Sequence, residues 1–237
     1  MDSGALTSVQ LVNLYLRRIA LYDQAGAPFF NSVLFLSQDI MEQAQKADEL
    51  RAAGKKIGPL HGIPCFVKGS YSVKGLPTSA GVTAWQDLIA PNDCFLVGKL
   101  RASGAIIMGH ANMDTWANSG QSSTSQIKGA VKNAYVLGTT SGGSSGGSGV
   151  AAAANFAFFT FGGETGASIR GPSDRNGLAG QRPNAGAMPS NHIVNLSAER
   201  DVVGPMTRNV SDLAAIRDAV AFEDPKDPWA PILPLFK

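Results

Sequence analysis

Residues 138–172 read GTTSGGSSGGSGVAAAANFAFFTFGGETGASIRGP, and this stretch holds the features that decide the fold. A loop of glycine, serine and threonine, residues 138–149, leads directly into small and aromatic apolar residues at 150–161. By composition alone the loop could be a flexible linker between two domains. However, no run of charges or prolines surrounds it, and a predicted helix start follows at once. A glycine-rich loop between two core elements favours a site built from backbone N–H donors.

Helical and buried-strand patterns alternate on the N-terminal side of this stretch. A capping box at Thr7 and Gln10 begins the first predicted helix, and Gly54 ends the second. Predicted helices cover residues 8–23, 39–53 and 93–102, and predicted buried strands cover residues 65–67 and 105–108. This alternation indicates an α/β fold with a mixed sheet core flanked by helices.

Composition narrows the classes of function. The chain has 237 residues, of which 44% are hydrophobic and 16% are charged, so a buried core is feasible. A formal net charge of +2, without any block of Lys or Arg, argues against nucleic acid and membrane surfaces as partners. The first residues lack the pattern of a signal peptide, and no apolar run reaches membrane-spanning length. We therefore expect a cytoplasmic protein without a membrane span.

Cysteine and histidine usage gives no sign of a metal site. The two cysteines are Cys65 and Cys94, and the three histidines are His61, His110 and His192. None of their spacings is typical of metal ligands, so we expect neither a metal nor a cofactor. Both cysteines are interpreted as small buried residues in a reducing compartment.

Several generic motifs overlap the glycine-rich loop, and each one alone is weak. Residues 147–152 fit the GxGxxA of dinucleotide sites, but no clear strand precedes them and no acid follows at the expected distance. Residues 143–147 fit the GxSxG of a nucleophile elbow, again without its strand, and His192 is the one histidine downstream. Residues 125–128 fit SxxK, a pattern frequent by chance, and no GK[ST] follows for a phosphate loop. A nucleotide-binding domain therefore stays a minor alternative.

Three segments taken together are far more specific than these motifs. They read GPLHGIPCFVKG at 58–69, SGGSSGGS at 141–148 and GGETGASIRGP at 162–172. On these segments the sequence resembles the amidase signature family, and the resemblance runs nearly the whole length of the chain. Further matching motifs are LHGIP at 60–64, GLPTSAG at 75–81, LRASGA at 100–105, GHANM at 109–113 and GPMTRN at 204–209. The 24 residues between Ser144 and Ser168 (168 − 144) suit the two serines of that family.

The resemblance implies hydrolysis of a small-molecule amide, with Ser168 as nucleophile, Ser144 as proton relay and Lys68 as base. A serine hydroxyl becomes a good nucleophile only when a base takes its proton. Lysine serves as that base only if its pKa falls well below about 10.4, and burial lowers it. Phe66 and Val67 are consistent with a buried strand position for this lysine.

The resemblance also implies which groups would surround the nucleophile. The oxyanion hole is expected from the backbone N–H groups of Thr165, Gly166, Ala167 and Ser168. Apart from the resemblance, Arg170 could be catalytic, but the residue types favour a structural ion pair with Glu164 that supports this loop. A helix that begins near Gly146 would add its positive end. His61 receives no catalytic role and is interpreted as a packed turn residue.

Two local departures from the family pattern concern the residues beside the expected site. Gly69 follows Lys68 where an acid is usual, and Glu164 and Ala167 stand where Asp and Gly are usual. Ala167 adds a methyl group beside the expected oxyanion hole. If the backbone there needs a positive φ, an alanine is strained by about 1 kcal/mol or more.

A third departure is the length of the chain. Family members are usually much longer, so we expect residues 1–222 to be the N-terminal portion of an amidase-signature domain, truncated at the C-terminal side of its sheet. Residues 223–237 are rich in proline and are predicted to be an extended tail. A truncated sheet exposes an edge, which invites homo-oligomerisation. The alternative function is a catalytically silent, amidase-like binding or interaction module.

Overall fold

The computed structural model describes residues 1–24, 29–220 and 226–227, and a six-stranded sheet lies at its centre. The helices are α1 (Ser8–Ile19), α2 (Ile40–Ala52), α3 (Phe95–Ala102), α4 (Gly146–Ala153), α5 (Arg170–Arg175) and α6 (Val210–Val220). The strands are β1 (Val33–Leu36), β2 (Pro64–Lys68), β3 (Ile106–Ala111), β4 (Thr124–Ser125), β5 (Gly129–Ala130), β6 (Phe159–Glu164), β7 (Ala179–Gly180) and β8 (Val202–Thr207). Strands β4 and β5 pair separately as a small two-stranded sheet.

The main sheet has the strand order β1-β3-β2-β6-β8-β7. Its central strands β3, β2 and β6 are parallel, and each outer strand is antiparallel to its inner neighbour. The predicted α/β class with a mixed sheet is therefore confirmed. Because the carboxyl ends of parallel strands meet at one edge of a sheet, Lys68, Asn112 and Glu164 come to the same edge.

Hydrophobic clusters cover both faces of the sheet. The first cluster joins residues of the strands with residues of α3 and α6, among them Cys65, Val67, Leu96, Leu100, Ile107 and Ile216. The second joins residues of the strands with residues of α1, α2 and α4, among them Val12, Ile40, Phe66, Ile106, Met108 and Ala151. Successive side chains of a strand point to opposite faces, so Lys68 shares the face of Phe66, on which α4 packs.

The first helix begins as the sequence predicts. Thr7 is its N-cap, and the capping box is confirmed by two reciprocal hydrogen bonds: Gln10 N donates to Thr7 Oγ1 at 3.0 Å, and Thr7 N donates to Gln10 Oε1 at 2.9 Å. The α-helical part ends at Ile19 and continues as a π-helix to Gln24, close to the predicted end.

The other predicted elements are present with shifted ends. The second predicted helix is confirmed as α2, and β2 and β3 both run further toward the carboxyl edge than predicted. Helix α3 begins at Phe95 rather than at Asp93, because the Asp93 carboxylate turns to other partners. It accepts hydrogen bonds from Lys74 N at 2.8 Å and from Arg101 Nε at 2.9 Å.

The described residues bear on three features that the composition addressed: membrane-spanning helices, metal-binding groups and free cysteines. None of the helices in the described ranges is long and apolar enough for a membrane crossing. Within the same ranges, no three His, Cys, Asp or Glu side chains gather as a metal-binding group. Cys65 and Cys94 are buried free thiols, as interpreted. Most of the tail predicted at 223–237 lies outside the described residues, so the domain boundary at residue 222 stays a prediction.

Candidate active site

The side chain of Lys68 ends the central strand β2 and points into the protein. Its Nζ atom lies 2.7 Å from Ser144 Oγ and 3.0 Å from the carbonyl oxygen of Gly163. Lys68 is only 2% exposed. The structure therefore brings together two of the three residues that the resemblance places in the catalytic centre, although 76 positions separate them in the chain.

The environment of Lys68 lowers the proton affinity of its amine. Burial lowers the pKa of Lys68 to about 7, because an ammonium ion loses its hydration in the interior. The negative charges of Asp201, Asp114 and Glu164 oppose this effect and raise the pKa. Desolvation is the larger influence, so a substantial fraction of this lysine is neutral at physiological pH.

Ser144 lies in a loop that is packed into the core. Its carbonyl oxygen accepts hydrogen bonds from Asp114 N and from Ser123 Oγ, both at 3.0 Å. A Cβ atom added at Gly143 would stand 1.7 Å from a backbone oxygen, and one added at Gly147 would stand 2.1 Å from another. Glycine is required at both positions because the neighbouring backbone approaches so closely. The linker interpretation of residues 138–149 is therefore wrong for this loop, whose residues 141–149 are buried.

Two other serines of the loop, Ser145 and Ser148, connect it to β6, and a third, Ser141, donates its hydroxyl to the carbonyl of Val131 at 3.2 Å. Ser145 Oγ donates to the carbonyl of Gly163 at 3.1 Å and accepts from Gly163 N at 3.2 Å. Ser148 Oγ donates to the carbonyl of Phe161 at 3.1 Å. Backbone carbonyls engage all three of these hydroxyls, so Ser144 is left as the loop serine whose hydroxyl meets the Lys68 amine.

Ser168 follows β6 and is 5% exposed. Its carbonyl oxygen accepts a hydrogen bond from Ser145 N at 3.2 Å, which ties its backbone to the residue next to Ser144. Within the described part of the chain, no hydrogen bond joins the hydroxyls of Ser144 and Ser168. Hydrogen bonds between catalytic groups are often long without substrate and tighten when substrate binds. The structure thus anchors Ser168 beside the Lys68–Ser144 pair without a direct contact between the two serines.

The expected oxyanion loop connects β6 to α5. The four backbone N–H groups proposed from the sequence, at Thr165, Gly166, Ala167 and Ser168, donate no hydrogen bond to any described residue. Ala167 is exposed and does not have a positive φ, so the strain considered for an alanine there is absent. The methyl group of Ala167 is accommodated by the backbone as it stands.

An ion pair between the buried Glu164 carboxylate and the exposed Arg170 guanidinium holds this loop in shape. The Glu164 side chain is fully buried, and its Oε2 atom accepts from the backbone N–H groups of Ile169 and Arg170, both at 2.9 Å. Its Oε1 atom lies 2.6 Å from Arg170 Nη2 and 3.5 Å from Arg182 Nε. Arg170 Nη2 also donates to the carbonyl of Gly166 at 2.7 Å. The ion pair expected between Glu164 and Arg170 is present, and it spans the loop from β6 to the start of α5.

Sequence reasoning gave no role to two residues that the structure places at this site. Ser123 Oγ accepts from Gly146 N at 2.8 Å, in addition to donating to Ser144, so it fastens the glycine-rich loop at the start of α4. Asp201 accepts from Thr165 Oγ1 at 2.5 Å. Neither residue stands in a recognisable motif. The single available signal was the polar run QSST at 121–124.

His61 has structural partners, as its interpretation as a turn residue requires. One ring nitrogen, Nε2, lies 2.8 Å from the carbonyl oxygen of Ala47. The other, Nδ1, accepts from Ile57 N at 3.2 Å. Both nitrogens are therefore engaged by the backbone away from Lys68, and the ring has no function in the candidate centre.

Two cavities must be distinguished. A cavity of about 20 Å³ lies against Lys68 and is also lined by Gly163, Thr165 and Asp201. A much larger cavity, about 820 Å³, lies elsewhere between the N-terminal segment and Arg208 and shares no lining residue with the first. Size alone does not identify a site. The buried amine of Lys68, which contacts Ser144 and lines the smaller cavity, locates the candidate site beside that cavity.

Comparison with known proteins gives the family. The family model described as Amidase matches residues 10–234. A glutamyl-tRNA(Gln) amidotransferase subunit from Streptomyces avermitilis is 36% identical over 225 residues, which are 95% of this chain and 44% of that protein. The native peptide amidase from Stenotrophomonas maltophilia superimposes with a TM-score of 0.94 at 38% identity, over 99% of this chain and 48% of that one. An amidase family protein from Bacillus anthracis str. Ames gives a TM-score of 0.93 at 36% identity, over 98% and 47%.

These matches also define how much of the fold is present. The chain spans 44% of the length of the Streptomyces protein and 48% of the Stenotrophomonas enzyme, so it corresponds to about half of each. The predicted amidase signature fold is confirmed over about half the length of these relatives. Since the family model covers nearly the whole sequence and the sheet superimposes on solved amidases, the chain belongs to the amidase family.

Proposed function

We propose that this chain carries the acyl-transfer centre of an amidase that hydrolyses the C–N bond of a small carboxylic amide. Ser168 is the nucleophile, Ser144 relays the proton and Lys68 is the base. The observation that carries the proposal is the 2.7 Å contact between the buried Lys68 amine and Ser144 Oγ. Burial and this contact together supply a weakly basic amine at hydrogen-bond distance from a hydroxyl, which serine activation requires.

The partners of Lys68 suit a neutral amine. A neutral lysine has one lone pair and two N–H donors, whereas an ammonium has three donors and no lone pair. In the neutral form the lone pair accepts from Ser144 Oγ, and one N–H donates to the carbonyl of Gly163 at 3.0 Å. The same two contacts serve the ammonium, in which the direction of the bond to Ser144 is reversed. The centre therefore accepts and returns a proton without losing a hydrogen bond.

The reaction follows from these roles. Ser168 Oγ attacks the amide carbonyl while its proton passes to Ser144, and Ser144 passes its own proton to Lys68. The proton then returns along the same path to the leaving nitrogen, which departs as ammonia or an amine and leaves an ester on Ser168. Water attacks that ester by the same relay, which releases the carboxylic acid and restores the serine. No step requires a histidine.

The charge that develops on the carbonyl oxygen is proposed to bind to the loop between β6 and α5. Its N–H groups lack acceptors among the described residues, and the Glu164–Arg170 pair holds the loop without occupying those donors. Donors that are fixed in advance stabilise an oxyanion without reorganisation, an effect worth about 3 kcal/mol per donor.

A fluorophosphonate probe tests the proposal directly. The purified chain is expected to gain the mass of one phosphonyl group, mapped to Ser168, because the activated hydroxyl attacks phosphorus as it attacks a carbonyl. Ser168→Ala should abolish labelling, and Ser211→Ala, a change at an exposed serine of α6, should leave it intact. A folded wild-type chain that gains no mass would favour the alternative of a catalytically silent binding module, which the half-length match to known amidases also motivates.

The pH dependence of labelling follows from the state of Lys68. Protonated lysine has no lone pair, so the rate should rise with pH and level off above about 7, the pKa to which burial lowers this amine. Below that value the rate should fall roughly tenfold per pH unit, as for a single ionisation. Rate measurements between about pH 5 and pH 9 check the expectation. Most exposed side chains other than histidine do not titrate in this range. A rate that is flat through pH 7 would contradict a lysine base.

A further inference from the structure

The segment before β8 supplies a carboxylate to the cavity beside Lys68. Asp201 Oδ1 accepts from Thr165 Oγ1 at 2.5 Å, and Asp201 Oδ2 accepts from Leu196 N at 2.7 Å. Asp201 N donates to the carbonyl of Ser197 at 2.9 Å, so a turn in the backbone holds this aspartate in place. Asp201, Thr165 and Lys68 line the same cavity of about 20 Å³. The carboxylate therefore touches the first residue of the candidate oxyanion loop and faces the cavity shared with the amine.

Three carboxylates face Lys68 from three different elements, and they are not equivalent. Glu164, at the end of β6, is bound by two guanidinium groups at 2.6 and 3.5 Å, which offset its charge. Asp114, in the segment after β3, accepts from two backbone N–H groups at 2.8 and 3.2 Å. Neither Asp114 nor Asp201 has a cationic partner within the described ranges, and of the three carboxylates Asp201 exerts the largest influence on Lys68. Asp201 is also the one of these two aspartates that lines the cavity with the amine.

We propose that Asp201 is a positioning residue of this centre: its carboxylate fixes the oxyanion loop through Thr165 and sets a negative charge across the cavity from the Lys68 amine. The catalytic meaning of this inference rests on the proposed function, whereas the electrostatic link between Asp201 and Lys68 does not. The residue links the segment before β8 to both halves of the site, the acid–base pair and the loop of N–H donors.

The charge of Asp201 acts on the pKa of Lys68 in one direction. A carboxylate beside an amine stabilises the ammonium form and raises the pKa of that amine, against the effect of burial. Without it, Lys68 gives up its proton at lower pH and becomes a weaker base. The carboxylate of Asp201 thus limits how far burial lowers the pKa of Lys68. The amine keeps enough basicity to accept the proton from Ser144.

The electrostatic part is tested by NMR titration of protein labelled with ¹³Cε-lysine, in which Lys68→Met identifies the signal. In Asp201→Asn the midpoint of Lys68 should move to lower pH by about half a unit or more. Asp87→Asn, which removes an exposed carboxylate that does not face Lys68, should leave the midpoint in place. An unchanged midpoint in Asp201→Asn would overturn the inference. This readout needs no turnover, so a failure here is distinct from a failure of the proposed function.

The positioning part is tested at Thr165. Thr165→Val removes the hydroxyl that Asp201 holds and keeps the size of the side chain, so phosphonylation of Ser168 should slow by about tenfold. Thr165→Ser restores the hydroxyl and should recover the wild-type rate, with the Lys68 midpoint close to that of the wild type in both variants. Equal rates in Thr165→Val and wild type would refute the positioning role. Labelling that is absent even in the wild type would count against the proposed function, and the titration would still decide on Asp201.

Discussion

Replacing Ser168 by alanine is expected to lower amide hydrolysis by a factor on the order of 10⁴ or more, because no acyl-enzyme can form without the nucleophile. Ser168 lies directly before the two residues whose N–H groups bind Glu164, so the loop is held by backbone contacts that alanine preserves. The variant should therefore fold. Release of ammonia or amine from simple carboxylic amides, followed over time, gives the measurement.

The matched control for Ser168 is Ser211→Ala, the same chemical change at an exposed position. Its hydrolysis rate should equal that of the wild type. If Ser168→Ala retained wild-type release of ammonia, the assignment of the nucleophile would be wrong. Ser144→Ala should lower the rate as well, since the proton path from Ser168 to Lys68 passes through its hydroxyl. A combined change at both serines should cost little more than Ser168→Ala alone, because residues that act as a unit are not additive.

Replacing Lys68 by methionine is expected to lower hydrolysis at pH 7 by a factor of about 10³, within the range that general base catalysis contributes. Methionine has nearly the length of lysine but no lone pair for a proton, so Ser144 loses the group that its hydroxyl contacts at 2.7 Å. The free energy of unfolding should fall by about 1–3 kcal/mol, because the buried Ser144 hydroxyl loses its partner. Steady-state rates and urea denaturation, measured on the same sample, separate the two effects.

Two further variants distinguish a base from a mere positive charge. Lys68→Arg keeps a cation that cannot give up its proton near neutral pH, so it should be as inactive as the methionine variant. Lys74→Ala removes an exposed lysine and should leave the rate unchanged. Activity that survives in Lys68→Arg would mean that charge, and not proton transfer, is what the position supplies, and the relay through Ser144 would have to be abandoned.

The first three helices and the strands β2 and β3 could be predicted from the sequence because their signals are local. The reciprocal bonds of Thr7 and Gln10 depend on two residues three positions apart, and the predicted helix start is correct. Short apolar runs bounded by glycine and proline predict buried strands, and β2 and β3 lie where such runs occur. The start of α3 was misplaced by two residues because Asp93 binds Arg101 and Lys74, contacts that a pattern of apolar residues does not reveal.

The glycine-rich loop shows where local signals fail. Composition alone left a flexible linker open for residues 138–149, since glycine and serine dominate linkers and packed turns alike. The structure decides against it through contacts with distant parts of the chain: the carbonyl of Ser122 approaches Gly143, and that of Asn112 approaches Gly147. Those approaches require the sheet to have formed, so no window of sequence around the loop contains them.

The sequence by itself determined the chemical inventory of this protein: a lysine after an apolar strand, two serines 24 positions apart (168 − 144), and a glutamate and an arginine around the second serine. It also determined the three segments, at 58–69, 141–148 and 162–172, on which the family resemblance rests. Only the tertiary structure decided that Lys68 is buried with a pKa of about 7, that its amine meets Ser144, and that Asp201 contacts Thr165 and lines a cavity with Lys68. The reason is physical. Desolvation and electrostatic interaction depend on distance in space, and the fold brings together groups that the chain keeps far apart.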